Sequence, residues 1–137
     1  MTGADVVTEA RRWLGVPYVH QGRTRYGVDC IGLVICVRHA VEAWPAALRE
    51  VRNYARRPAD ALLVDRIAAH CQRIEAPEDG CVILVRWPNH AHATHTALYA
   101  GGHLIHAYQF AGRVVETGHR AHWLRDTDSY WRLPGVA

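Results

Sequence analysis

The pair Gly101-Gly102 constrains this chain more than any other feature, because it is all that separates two alternating runs, His95–Ala100 and His103–Tyr108. A two-residue link between such runs closes a β-hairpin, and glycine suits the primed turns whose twist matches the strands. The register follows: Ala100 opposite His103, Leu98 opposite Ile105, Ala97 opposite His106. Side chains alternate along a strand, so His95, Ala97 and Tyr99 share a face with Tyr108, His106 and Leu104. His95 and His106 become diagonal neighbours, close enough for long side chains to touch.

On either side of this hairpin the texture of the chain divides. Residues 2–14 predict a helix, with Val6, Ala10, Trp13 and Leu14 at helical spacing and Gly15 and Pro17 to end it. Residues 16–28 read as a loop. A second helix is expected from Asp29, a good N-cap, to Ala43, with Leu33, Cys36, Val37, Ala40 and Val41 apolar. Residues 46–58 read as irregular, and 59–72 as a third helix with Leu62, Leu63, Ile67 and Ala68 inward. Strands follow at 81–85 (after the turn Pro77-Glu78-Asp79-Gly80), 95–100, 103–108, 113–116 and 129–133, with one helical turn at 119–124. Helices first and a strand meander afterwards predict an α+β fold. The 137 residues fit one domain, 1–137. A chain of this size buries roughly 68–70% of its unfolded surface, so the core needs neither disulfide nor metal.

Charge excludes little and points weakly. The net charge is +3, and all sixteen basic residues are Arg, scattered rather than blocked. No nucleic-acid arm is expected. An acidic small substrate or an anionic polymer suits the balance. The first fourteen residues have no continuous apolar segment of the kind that makes a signal peptide, so synthesis in the cytoplasm is expected. No run approaches the ~18 apolar residues that cross a bilayer, so no membrane insertion is expected. Of the four cysteines, Cys30 and Cys36 lie six residues apart on one expected helix, with ~9 Å of rise between them. Bridged Cα atoms lie ~4.4–6.8 Å apart, which disfavours that pair. Cys71 and Cys81 are geometrically open. Reduced thiols are expected throughout.

Cys30 falls just inside the start of the second helix, where unpaired N–H groups and the helix dipole favour an anion. That position predicts a thiol pKa below the free value of ~8.5. The Cys30 N–H is placed to hold an oxyanion, and Gly32 allows close approach to this turn. A buried core cysteine is the bland alternative. The histidine pair argues against it: one ring can take the thiol proton while the other fixes its tautomer. His90, His92 and His95 have a spacing that could ligate zinc, but no HExxH or CxxC motif supports a metal, and no metal or cofactor is expected. His20 either lines the cleft before Cys30 or is an exposed loop residue. His103 reads as a turn residue, and His119 and His122 as surface. Trp123, Tyr130 and Trp131 read as core rather than a partner surface.

Four segments in order carry a resemblance: Tyr18 in GVPYVHQG, Asp29-Cys30-Ile31-Gly32-Leu33-Val34, His95-Thr96-Ala97-Leu98-Tyr99, and Leu104-Ile105-His106-Ala107. Together they resemble the NlpC-type cell-wall cysteine endopeptidase superfamily over residues 10 to 133. The resemblance implies a papain-like α+β domain, its N-terminal helices packed on a C-terminal antiparallel sheet. It implies a catalytic set of Cys30, His95 and His106, with Tyr18 assisting the oxyanion and Asp29 and His20 in substrate binding. The implied substrate is the peptidoglycan stem peptide, cut between D-Glu and the following diaminopimelate or Lys. The PYVHQG loop and short chain are most similar to the phage-tail and gene-transfer-agent branch. This implies carriage on a virion or phage-like tail tip or baseplate and action in the periplasm or cell wall. Two positions depart from the family pattern: Ile31 stands where Ser is usual, and Cys81 where Asp is usual. The loss of the Ser hydroxyl removes a group that holds the free amine of the stem. Competing readings are a catalytically idle tail or baseplate component, a thioester-using acyltransferase of the same superfamily, and a toxin amidase delivered to a rival cell.

Overall fold

The computed structural model describes residues 1–41 and 62–137. The expected irregular stretch 46–58, the tail of the second helix to Ala43 and the start of the third at 59 lie outside the described residues.

Helix α1 (Gly3–Arg11) opens on a reciprocal cap: the Thr2 hydroxyl accepts from the Asp5 N–H, and the Asp5 carboxylate accepts from the Thr2 N–H. It stops at Arg11, short of residue 14, so Leu14 is exposed while Val6, Ala10 and Trp13 are buried. The expected loop at 16–28 contains a two-stranded ribbon, β1 (Arg23–Thr24) with β2 (Gly27–Val28). Helix α2 (Cys30–Ala40) follows Asp29, whose side chain accepts from the Gly32 N–H. Its residues from Gly32 to Arg38 are buried without a break, so it is a central helix and not the one-sided one its spacing predicted. Helix α3 (Leu62–His70) buries Leu63 and Ile67 but leaves Ala68 exposed.

Six strands form one antiparallel sheet in the order β3-β8-β4-β5-β6-β7. They are β3 (Gln72–Ile74), β4 (Val82–Val85), β5 (His95–Ala100), β6 (His103–Tyr108), β7 (Arg113–Gly118) and β8 (Thr127–Arg132). Strand β3 was not expected: its three residues, all at least partly exposed, sit where the third helix was read to end, and they carry no alternation signal. The short helix α4 (His122–Arg125) connects β7 to β8. The hairpin register is the expected one, with Leu98 opposite Ile105 and Ala100 opposite His103. Both turn glycines have positive φ, 52° and 88°, the geometry a type I′ link requires.

Alternation along the strands divides the core. Val82, Leu84, Leu98, Ala100, Ile105, Ala107 and Val114 face the helices α1, α2 and α3. Cys81, Ile83, Val85, Ala97 and Leu104 face the other way, into a smaller cluster closed by Trp123 of α4. Trp123 and Trp131 are buried, as their core reading expected. All four cysteines are free thiols. The fold is α+β, with α1, α2 and α3 on one face of an antiparallel sheet and the short α4 on the other.

Candidate active site

The N-terminus of α2 and the start of β5 meet at a narrow cleft lined by Tyr18, Cys30, Trp87, Thr94, His95, Tyr108, Gln109 and Phe110. Three of the residues singled out in sequence, Tyr18, Cys30 and His95, thus border one opening. His106 lies behind His95, fully buried.

The Cys30 side of the cleft is held by Asp29. Its carboxylate is 2.8 Å from the Gly32 N–H, 2.8 Å from the Gln21 N–H and 3.2 Å from the Arg23 guanidinium. Arg23 and Asp29 are both buried, so this is a buried ion pair that clips the loop at 20–23 onto the start of α2. Gly32 permits the clip: a Cβ there would meet the Gly22 carbonyl oxygen at 2.3 Å. The close approach expected at Gly32 is therefore by this chain's own loop. Asp29, read from the resemblance as substrate-binding, lies beneath the surface with its oxygens engaged by protein donors. His20 reaches the same carboxylate, Nδ1 to Oδ2 at 3.9 Å, and is half-buried beside Asp29.

The histidine side of the cleft is held by the hairpin. His95 Nε2 and His106 Nδ1 are 2.7 Å apart, the contact the register predicted. The structure adds an aromatic enclosure. Trp87 stacks on His95 at 5.5 Å, Tyr108 stacks on His106 at 5.4 Å, and Trp123 meets His106 edge-on at 4.7 Å. It also adds Thr117 of β7, whose Oγ1 is 2.9 Å from His106 Nε2. Sequence reasoning missed these four residues. Tyr108 and Trp123 had been seen as a face-mate and a core residue. Thr117 lay one residue beyond the strand read at 113–116.

The electrostatics differ from expectation at one point. The helix N-terminus was expected to lower the Cys30 pKa. Burial, followed by the neighbouring Asp29 carboxylate, instead pushes the thiol up to about 11, against the opposing effect of hydrogen bonds from Thr96. Cys30 is half-buried where it borders the cleft, and partial loss of water together with the carboxylate beside it disfavours the thiolate. Burial, then the His106 ring, holds His95 well below the usual imidazole range. Burial brings His106 down to about 4. These shifts favour an uncharged thiol and uncharged imidazoles at neutral pH.

His119 is not a surface residue. It is half-buried, with Nε2 3.2 Å from the Tyr130 hydroxyl and 3.3 Å from Thr127 Oγ1. His90 and His92 do not join His95 around a common centre: among the described residues no cluster of His, Cys, Asp and Glu is arranged to hold a metal ion. Among them, too, no helix is long and apolar enough to cross a membrane.

No model of a known protein family matches the chain, and no curated protein matches it. Solved structures do. The chain is similar to the NlpC/p60 domain of the peptidoglycan hydrolase SagA, with 22% identity and a TM-score of 0.64, covering 97% of this chain and all of that one. It is similar to the peptidoglycan hydrolase RipB of Mycobacterium tuberculosis, with 21% identity and a TM-score of 0.62, covering 98% of this chain and 65% of that one. It is also similar to NlpC2 of Trichomonas vaginalis, with 19% identity and a TM-score of 0.71, covering 97% of this chain and 47% of that one. The chain thus spans all of one such domain and about half of a longer relative. The protein has the NlpC/p60 fold.

Proposed function

We propose that this protein is a cysteine peptidase that hydrolyses the stem peptide of bacterial peptidoglycan, with Cys30 as nucleophile, His95 as base and His106 as the residue that orients it. The observation that carries the reading is the 2.7 Å contact between His95 and His106 at a cleft that Cys30 also lines. Packing alone does not require a thiol at a helix start to share a cleft with one ring of a buried histidine pair. The neighbouring folds add to it, since SagA and RipB are described as peptidoglycan hydrolases.

The chemistry follows from which nitrogen is free. His95 Nε2 is engaged by His106, which leaves Nδ1 for the thiol. Both groups rest neutral, so the proton passes from Cys30 Sγ to His95 Nδ1 as sulfur attacks the amide carbonyl. The Cys30 N–H and the Tyr18 hydroxyl stabilise the oxyanion. The imidazolium then protonates the leaving amine, and water hydrolyses the thioester. The bond between D-Glu and diaminopimelate is the one we assign. Asp29 is engaged by Arg23, and Ile31 carries no hydroxyl, so we assign no strict requirement for a free stem amine. We further assign the protein to a phage-like tail tip or baseplate, a reading supported by the similarity of its PYVHQG loop to the phage-tail branch.

Digestion of diaminopimelate-type peptidoglycan, with mass analysis of the products, tests this. The wild-type protein is expected to release fragments beginning at diaminopimelate, and Cys30→Ala is expected to release none while keeping its fold. No release from intact wall or free stem peptide would favour a catalytically idle tail component.

A further inference from the structure

The buried pair of imidazoles has a proton-bookkeeping problem that neither ring solves alone. Two ring nitrogens 2.7 Å apart, His95 Nε2 and His106 Nδ1, share one hydrogen. Each neutral ring carries a single N–H. If the shared hydrogen belongs to His106, it sits on Nδ1, and His95 must carry its own on Nδ1, the nitrogen left for the thiol. That tautomer cannot act as a base. If the shared hydrogen belongs to His95, its Nδ1 is bare, and His106 must carry its hydrogen on Nε2. The productive state therefore needs an acceptor at His106 Nε2, in a place without solvent.

The only described side-chain atom recorded in hydrogen-bond contact with His106 Nε2 is Thr117 Oγ1, at 2.9 Å. Thr117 stands opposite Leu104 in the ladder between β6 and β7, and His106 stands opposite Val115, which makes Thr117 the diagonal neighbour of His106 on one face. We propose that Thr117 is a positioning residue: its hydroxyl accepts the His106 Nε2–H, fixes the tautomers of both rings and leaves His95 Nδ1 bare to receive the Cys30 proton. The inference rests on the peptidase reading above. Without the hydroxyl, the productive tautomer would bury an unpaired N–H, which proteins tolerate less well than an unpaired acceptor. The pair then shifts to the tautomer with no free base. Turnover suffers, and ground-state binding does not, because Thr117 is not among the residues that line the cleft.

The test uses Thr117→Val, nearly the same shape without the hydroxyl, and Thr117→Ser, which restores it. Histidine-labelled wild-type protein is expected to show, by long-range proton–nitrogen NMR, both His95 and His106 protonated at Nε2. Thr117→Val is expected to move both protons to Nδ1 and to lower kcat about tenfold or more with KM unchanged, and Thr117→Ser to restore both readouts. A wild-type His106 protonated at Nδ1, or a Thr117→Val protein with unchanged tautomers and kcat, overturns the proposal. The NMR readout needs no substrate. If the wild-type protein fails to cut peptidoglycan, the peptidase reading falls and the tautomers still decide whether Thr117 sets them.

Discussion

The two halves of the site are held by different forces. The Cys30 half is local and ionic: within residues 20–32, one carboxylate gathers two backbone N–H groups and a buried guanidinium. The histidine half is assembled from distant segments and is held, among the described residues, by ring contacts and hydrogen bonds. Its rings come from β5 and β6, its walls are Trp87, Tyr108 and Trp123, and its end stop is Thr117 of β7. Each scaffold also sets its own chemistry. The Asp29 carboxylate that positions Cys30 makes the thiolate harder to form. The aromatic enclosure that positions the histidines keeps them neutral. Two unlike scaffolds thus favour the same outcome, an uncharged thiol on one side of the cleft and uncharged imidazoles on the other.

The largest effect expected from this contrast is on the ionic half. Asp29→Ala removes an N-cap and leaves the Arg23 charge buried without its carboxylate. Breaking a buried pair on one side costs about 3–5 kcal/mol, and urea unfolding at neutral pH is expected to show a loss of that order. A loss below about 1 kcal/mol, the worth of an ordinary surface pair, would mean the clip is not what holds this half, and the contrast would fail.

The aromatic half is tested next, by acid. His106 falls from 6.5 to about 4 on folding, and His95 is lowered too. A pKa lower in the folded state means that the unfolded chain takes up protons first as the pH drops. The stability is complete above pH 6.5 and is lost as the pH falls through the folded values. His106 alone accounts for about 3 kcal/mol across that window. Urea unfolding compared at pH 7.5 and pH 4 is expected to show at least this loss, and His106→Gln to show a shallower dependence. A flat profile would mean that the rings are hydrated and the enclosure is open.

How far the sequence disclosed the site follows the same division. The hairpin was legible because a two-glycine link and period-two alternation fix register without reference to the rest of the chain, and register alone put His95 beside His106. Cys30 was legible as a position because Asp29 marks a helix start. Its electrostatics were not. The dipole argument is local, whereas the half-burial of Cys30 beside Thr96 depends on how α2 seats on the sheet. Thr117 was missed because a weakly apolar strand end leaves no periodic signal, and its importance comes from a diagonal across two strands. Strand β3 was missed for a similar reason: Gln72, Arg73 and Ile74 pair with β8 at the edge of the sheet, where neither face needs to be apolar. The α2 face was read from five apolar positions alone, whereas Arg38 is also fully buried, with its guanidinium on the Pro134 carbonyl.

The smallest effect tests the point where the halves meet. With its pKa near 11 instead of 9.0, the Cys30 thiolate at pH 7 is about a hundredfold scarcer than that of an unshifted cysteine. Iodoacetamide labelling, read on the Cys30 peptide by mass spectrometry, is expected to be slow at neutral pH and to rise with a midpoint near 11. Asp29→Asn, which keeps a cap acceptor but removes the charge, is expected to lower that midpoint, because the carboxylate is the second cause of the shift. His95→Gln is expected to leave it nearly unchanged, because a neutral ring does not stabilise the thiolate. The opposite pattern, labelling that stays fast down to pH 6 and collapses in His95→Gln, belongs to a thiolate–imidazolium pair already formed at rest. In that case the helix N-terminus would outweigh burial, the proton would have moved before substrate arrives, and the two halves would be coupled by charge instead of each being held neutral by its own scaffold.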